Sequence, residues 1–86
     1  MADLVSGVKM VPVDSKLFES IGYVTAGRQL YVKFRNSPGL CFNDVPGFRF
    51  EGLLGAPRKD AYYITFIQNK YLTKEVSFAT PTGGNV

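Results

Sequence analysis

Residues 28–35 gather the side chains that recognise phosphates and nucleobases. Tyr31, Lys33 and Arg35 alternate with Leu30, Val32 and Phe34, and Arg28 stands just before them. Successive side chains of a strand leave on opposite faces, so the aromatic and cationic set lies on one side of a sheet and the apolar set on the other. A ring between cations is how a sheet face holds single-stranded nucleic acid: bases stack at about 1–3 kcal/mol each, and phosphates meet the charges. The same residues also suit an ordinary solvated strand face, or one that a helix covers, and both readings stay open. Arg58-Lys59 is a second cationic pair, suited to clamping phosphate where a helix begins. Asp60 beside it partly cancels its field, and a charged exposed loop is the plain alternative. Tyr62, Tyr63 and Phe66 cannot all face one core from one helix; aromatics left outside mark a partner surface.

Catalytic chemistry finds little to work with. The chain has no histidine, which removes Cys–His pairs, Ser-His-Asp catalysis and most zinc sites. Cys41 sits between Leu40 and Phe42 in a strand-like run and reads as an inert thiol. Asp44, Glu51 and Asp60 are scattered and read as caps or surface charges. Gly52-x-x-Gly55 lacks the Gly-Lys-Ser/Thr ending of a phosphate loop. We therefore expect no catalytic residue, no metal site and no cofactor.

The elements that must position these residues are short. Residues 8–13 suit an edge strand, the only place where Pro12 is tolerated. Residues 16–20 are ambiguous, with a single turn as one reading. Ile21–Thr25 reads as a strand, and Ala26-Gly27-Arg28 as a tight turn with Gly27 free to take positive φ. The strand 29–35 follows, then the turn cluster Asn36-Ser37-Pro38-Gly39, then a strand over 40–43. Pro46 to Ala56 predicts a helix whose apolar stripe is Phe50, Leu53 and Leu54, with Asp44 near its start. Residues 60–71 are evenly contested. Tyr63, Ile67 and Tyr71 have helical spacing with Asp60 available as a cap, yet Tyr62–Ile67 is rich in β-branched and aromatic residues. The expected organisation is a flexible 1–7, one domain over 8–75 and a flexible tail over 76–86.

The totals bound the class. Eighty-six residues make one small domain with a thin stability margin. With 45% hydrophobic and 20% charged residues the composition is globular, and the 14% aromatic content, from five Tyr and seven Phe, helps a small core. A net charge of +3 permits an anionic partner without demanding one. One cysteine fits a reducing compartment. With neither a spanning apolar run nor a secretory leader, the expectation is a cytoplasmic protein that does not enter membranes.

Taken together, Ser15, Ile21-Gly22-Tyr23, Leu30-Tyr31-Val32-Lys33-Phe34, Val45-Pro46, Phe50, Leu53, Ala56, Tyr62-Tyr63, Ile67 and Tyr71 stand in an order that resembles the KTSC domain family. That family is a module of bacterial and phage proteins, also appended to some lysyl-tRNA synthetases. The resemblance implies an α+β fold: a small antiparallel meander of three strands, with an N-terminal edge strand as an optional fourth, followed by two short helices. It tips 60–71 toward helix. The synthetase context implies RNA binding. The chain departs from the family pattern where Leu40 and Phe42 replace a Tyr-x-Tyr pair, where Arg58 and Asp60 replace a Ser-x-Gly pair, and where Ile64 replaces an asparagine.

Two functions follow as expectations. In one, the chain is a non-enzymatic module binding single-stranded nucleic acid or a nucleotide through Arg28, Tyr31, Lys33, Arg35, Arg58 and Lys59. In the other, it is a small phage-type protein that docks on a host protein or enzyme through Tyr62, Tyr63 and Phe66. A homodimer is a further use for the same aromatics, since a thin core gains from association.

Overall fold

Alternating apolar residues build the sheet. The computed structural model describes residues 3–5, 7–35 and 38–78. Its strands are β1 (Asp3–Val5), β2 (Met10–Pro12), β3 (Phe18–Val24), β4 (Gln29–Phe34), β5 (Gly39–Phe42) and β6 (Thr73–Phe78). Helices α1 (Gly47–Gly55) and α2 (Lys59–Phe66) lie between β5 and β6. The strand order is β1-β6-β5-β4-β3-β2 in one six-stranded sheet. Strands β2 to β6 are antiparallel to their neighbours, and β1 joins β6 in parallel. The class is α+β as expected. The predicted meander is β3-β4-β5, and β2 is the edge strand that accommodates Pro12.

Register decides which side chains enter the core. Ile21 opposes Val32 and Tyr23 opposes Leu30, so these residues share the face under the helices. Phe18 opposes Phe34, but Ser20 opposes Lys33, which leaves Glu19 as an extra residue in β3. This bulge puts Phe18 and Ile21 on one face at odd spacing. It also explains why 16–20 fits no period in the sequence: the residues before Ile21 belong to the strand, but out of phase.

Both helices cover the Leu30–Val32 face. Leu53 is fully buried, whereas Leu54, expected in the same stripe, remains 36% exposed. Residues 59–66 are helical because Tyr63 is drawn into the sheet. Its ring meets Phe18 at 5.2 Å, Phe34 at 5.8 Å and Phe42 at 5.8 Å, each nearly edge-on. Tyr71 lies past the end of this helix. Asp60 sits in its first turn, and the cap position belongs to Arg58. Asp44 does not cap α1 either; Pro46 holds that position, with no side-chain hydrogen bond. Asp44 instead adopts φ 58° and pairs with Arg28. In the β3–β4 turn Arg28, not Gly27, takes positive φ, at 52°. Its carbonyl accepts a hydrogen bond from the Val45 N–H at 2.8 Å, so a tertiary contact holds the conformation.

The sheet also extends past the expected organisation. Residues 3–5 and 76–78, expected within flexible ends, are paired strand residues. Thr73–Phe78 carries adjacent Lys74 and Glu75, and its strand character comes from pairing with β5 rather than from an apolar pattern. Residues 1, 2, 6 and 79–86 lie outside the described residues, as do Asn36 and Ser37 of the expected turn.

Gly39 is a test of this register. A Cβ there overlaps the Phe78 ring and stands 2.8 Å from the Val32 carbonyl oxygen. Gly39→Ala is expected to destabilise the fold by about 1–3 kcal/mol. Gly55 has nothing within 4 Å of such a Cβ, and Gly55→Ala is expected to stabilise by up to about 1 kcal/mol. Urea unfolding of the two variants checks this; equal shifts would contradict the register.

Candidate binding surface

The predicted cationic face comes apart when each side chain is followed to its partner. Tyr31 opposes Gly22 on β3 and Cys41 on β5, and Cys41 opposes Lys74 on β6. These residues share the sheet face away from the helices. Tyr31 is half-buried there: its ring packs edge-on to Phe78 at 6.3 Å, and its hydroxyl donates to Gln29 Oε1 at 3.4 Å. Burial, then the hydrogen bond with Cys41, pushes the Tyr31 phenol up. Lys33 is hydrogen-bonded and ion-paired with Glu19, the bulge residue. That hydrogen bond and the Lys33 charge hold the Glu19 carboxyl below the usual carboxylate range, with a smaller push from Arg35. Arg35 turns to the end of the sheet, where its Nε donates to the Ser15 carbonyl at 2.7 Å. Arg28 lies at the other end of β4, about 20 Å away along the strand, beside Asp44 at 3.6 Å. The structure therefore keeps Tyr31 and Lys33 together, ties the Arg35 head to the Ser15 carbonyl and separates Arg28 from the rest.

A second group forms where the sequence left its members apart. Asp14, Ser15 and Lys16 face Pro57, Arg58, Lys59 and Asp60 across an open cleft of ≈ 300 Å³. The Ser15 hydroxyl accepts the Leu17 N–H at 3.2 Å, which closes the turn into β3. Arg58 pairs with Asp60 at 4.0 Å, and Lys59 Nζ donates to the Ala56 carbonyl at 2.9 Å. The predicted phosphate clamp thus has its cations engaged internally and two carboxylates in the same cleft.

The third group is on the helix layer, and the sequence reading missed its centre. Of the expected partner-binding aromatics, Tyr63 is core, 4% exposed. The correction has a simple cause: three phenylalanines on the sheet leave one aromatic socket, and Tyr63 fills it. Tyr62 is half-buried, its ring tilted against Phe66 with centroids 4.8 Å apart. Its hydroxyl lies against Gly52, at a spot that any Cβ would occupy. Phe66 is 39% exposed and Phe48 is 62% exposed. Between them lies Arg49, its guanidinium carbon 5.0 Å from the Phe48 ring centroid and 4.7 Å from that of Phe66. Hydrogen bonds to Tyr62 and Tyr71 raise the Arg49 pKa further above its ordinary value. Its Nε is buried and has no acceptor among the described residues. A signal for this group was present in the sequence. Phe48 falls off the Phe50–Leu53 stripe, and an aromatic on the polar side of an amphipathic helix has no core to enter.

Among the described residues no cluster of His, Cys, Asp or Glu is arranged to hold a metal ion. No helix there is long and apolar enough to cross a membrane.

Comparison with known proteins adds the following. The model of the KTSC domain matches residues 14–71. The crystal structure of a KTSC domain protein from Yersinia pestis is similar with a TM-score of 0.80 and 25% sequence identity, over 83% of this chain and 100% of that one. No curated protein matches the chain. The matched residues contain the bulge, the Tyr63 socket and both helices; β1, β2 and β6 lie outside them.

Cys41 gives the prediction for this subsection. It is only 2% exposed, and burial pushes its thiol up, offset in part by the Tyr31 hydrogen bond and by Lys74. A raised pKa means less thiolate at any pH below it. Labelling by a disulfide reagent at pH 8 is expected to be at least ~10-fold slower in the native protein than in urea. Equal rates would mean that this sheet face is open.

Proposed function

The chain belongs to the KTSC domain family, and from that premise we propose that it is a non-enzymatic binding module that docks a protein partner on its helix layer. The observation that supports this is the exposed Phe48–Arg49–Phe66 group. Aromatic rings and arginine are the side chains that dominate protein interfaces, and truncating one at such a centre commonly costs about 2 kcal/mol or more. The lone buried thiol suits a reducing compartment, which supports the cytoplasm as the location.

A second reading keeps single-stranded nucleic acid as the ligand. It is supported by the meeting of Lys16, Arg58 and Lys59 in one cleft, with Arg35 bonded to its Ser15 wall. Tyr31 and Lys33 supply a ring and a charge on the adjoining sheet face. It is weakened by the internal pairing of Arg58, Lys59, Arg35 and Lys33, since a phosphate reaching any of these must first displace a carboxylate or a carbonyl.

The two readings separate in one experiment. Immobilised protein is exposed to bacterial lysate with and without nuclease, beside Phe48→Ala and the triple variant Lys16→Glu, Arg58→Glu, Lys59→Glu. The protein reading expects a stoichiometric partner that survives nuclease, persists with the triple variant and weakens ~30-fold with Phe48→Ala. The nucleic-acid reading expects nuclease-sensitive, salt-weakened binding that the triple variant abolishes. Capture insensitive to both sets of substitutions would defeat the two together.

A further inference from the structure

Arg49 carries a charge for which its surroundings supply no carboxylate. Among the described residues no acidic oxygen lies within ion-pair distance of it. The nearby acids are turned elsewhere. Asp44 pairs with Arg28 and Asp60 with Arg58. Glu51 follows Arg49 by two positions on α1 and so points away from it around the helix. What does surround the guanidinium is aromatic: the rings of Phe48 and Phe66, and the hydroxyls of Tyr62 and Tyr71. Such a setting restrains the side chain between two rings. It also fixes the planar fork that matches a carboxylate edge-on.

The identity of the partner group follows from what else is on the surface. Arg49 is the only cation on α1, and neither helix has a basic residue in its last turn. A nucleic acid draws its affinity from several phosphate contacts at once, and α1 brings a single cation to this face. We propose that the Phe48–Arg49–Phe66 face recognises a protein segment bearing an Asp or Glu carboxylate between apolar side chains. The carboxylate meets the Arg49 fork, and the apolar neighbours lie on Phe48 and Phe66. This inference rests on the reading of the helix layer as a docking face, and it adds the chemistry of what docks.

The test uses a displayed library of random 12-residue peptides selected on the full chain. The best peptides are then measured by calorimetry against wild type, Arg49→Gln, Arg49→Lys and Phe48→Ala, each shown folded by circular dichroism. Enriched peptides are expected to carry an acid flanked by Leu, Ile or Phe. Changing that acid to its amide is expected to weaken binding to wild type at least tenfold and to leave binding to Arg49→Gln unchanged. Arg49→Lys, which keeps the charge and loses the fork, should fall between. Enriched peptides without an acid, or an acid-to-amide change that acts equally on wild type and Arg49→Gln, would overturn the proposal; the docking face itself then stands if Phe48→Ala still abolishes binding. Peptides indifferent to Phe48→Ala would remove both. So would a 12-nucleotide single-stranded RNA that competes with the selected peptides for this face.

Discussion

The structure depends on one ring. Tyr63 stands edge-on to Phe18, Phe34 and Phe42, which come from three successive strands. Edge-to-face pairs contribute about 0.5–1.5 kcal/mol each beyond their buried area, and here three share one partner. For a chain this small that is a large part of the margin. The same contact sets the rotation of α2, and hence what its other side chains do. With Tyr63 turned in, Tyr62 lies against Gly52 of α1 and Phe66 turns outward beside Arg49. The sheet is tied to α1 separately: the Tyr23 hydroxyl donates to the Val45 carbonyl at 2.6 Å, and the Tyr23 ring stacks on Phe50 at 5.4 Å.

The bulge at Glu19 has an electrostatic consequence as well as a packing one. By leaving Glu19 unpaired in the ladder, it frees that carboxylate to meet Lys33 across the strand. The sheet face that looked cationic in the sequence is thereby largely neutralised by its own neighbours. An exposed ion pair of this kind adds little stability, yet it removes a charge from the surface available to a ligand. The helix layer differs: there Arg49 has rings and hydroxyls around it and no counter-ion among the described residues.

The departures from the family pattern fit this picture. Phe42, in place of a tyrosine, is fully buried against Tyr63, where a hydroxyl would need a partner. Arg58 and Asp60, in place of Ser-x-Gly, pair with each other on one wall of the cleft, opposite Ser15. Of the polar positions that this chain has lost, Phe42 thus lies in the core and Arg58 and Asp60 at the cleft, while Ile64, in place of an asparagine, is exposed on α2. The Phe48–Arg49–Phe66 group uses none of them.

The sequence by itself determined the α+β class, the meander over β3–β5, the edge position of β2, the helix after Val45-Pro46 and the unreactive setting of Cys41. Each rests on a local rule: period-two alternation, the missing proline N–H, or a thiol between apolar neighbours. What it left undecided was non-local. Residues 60–71 combine helical spacing with strand-like composition, and the three-phenylalanine socket makes 59–66 helix. Thr73–Phe78 has no strand pattern of its own and becomes one by pairing with β5. The cations 28, 33 and 35 look like one patch in the sequence, but a bulge, a turn at positive φ and the Ser15 carbonyl give each a different partner. Arg49 has only Phe48, off the apolar stripe, beside it in the chain to mark it as a site. Phe66, Tyr62 and Tyr71 reach it only when α2 folds back over α1, and that folding is the work of Tyr63.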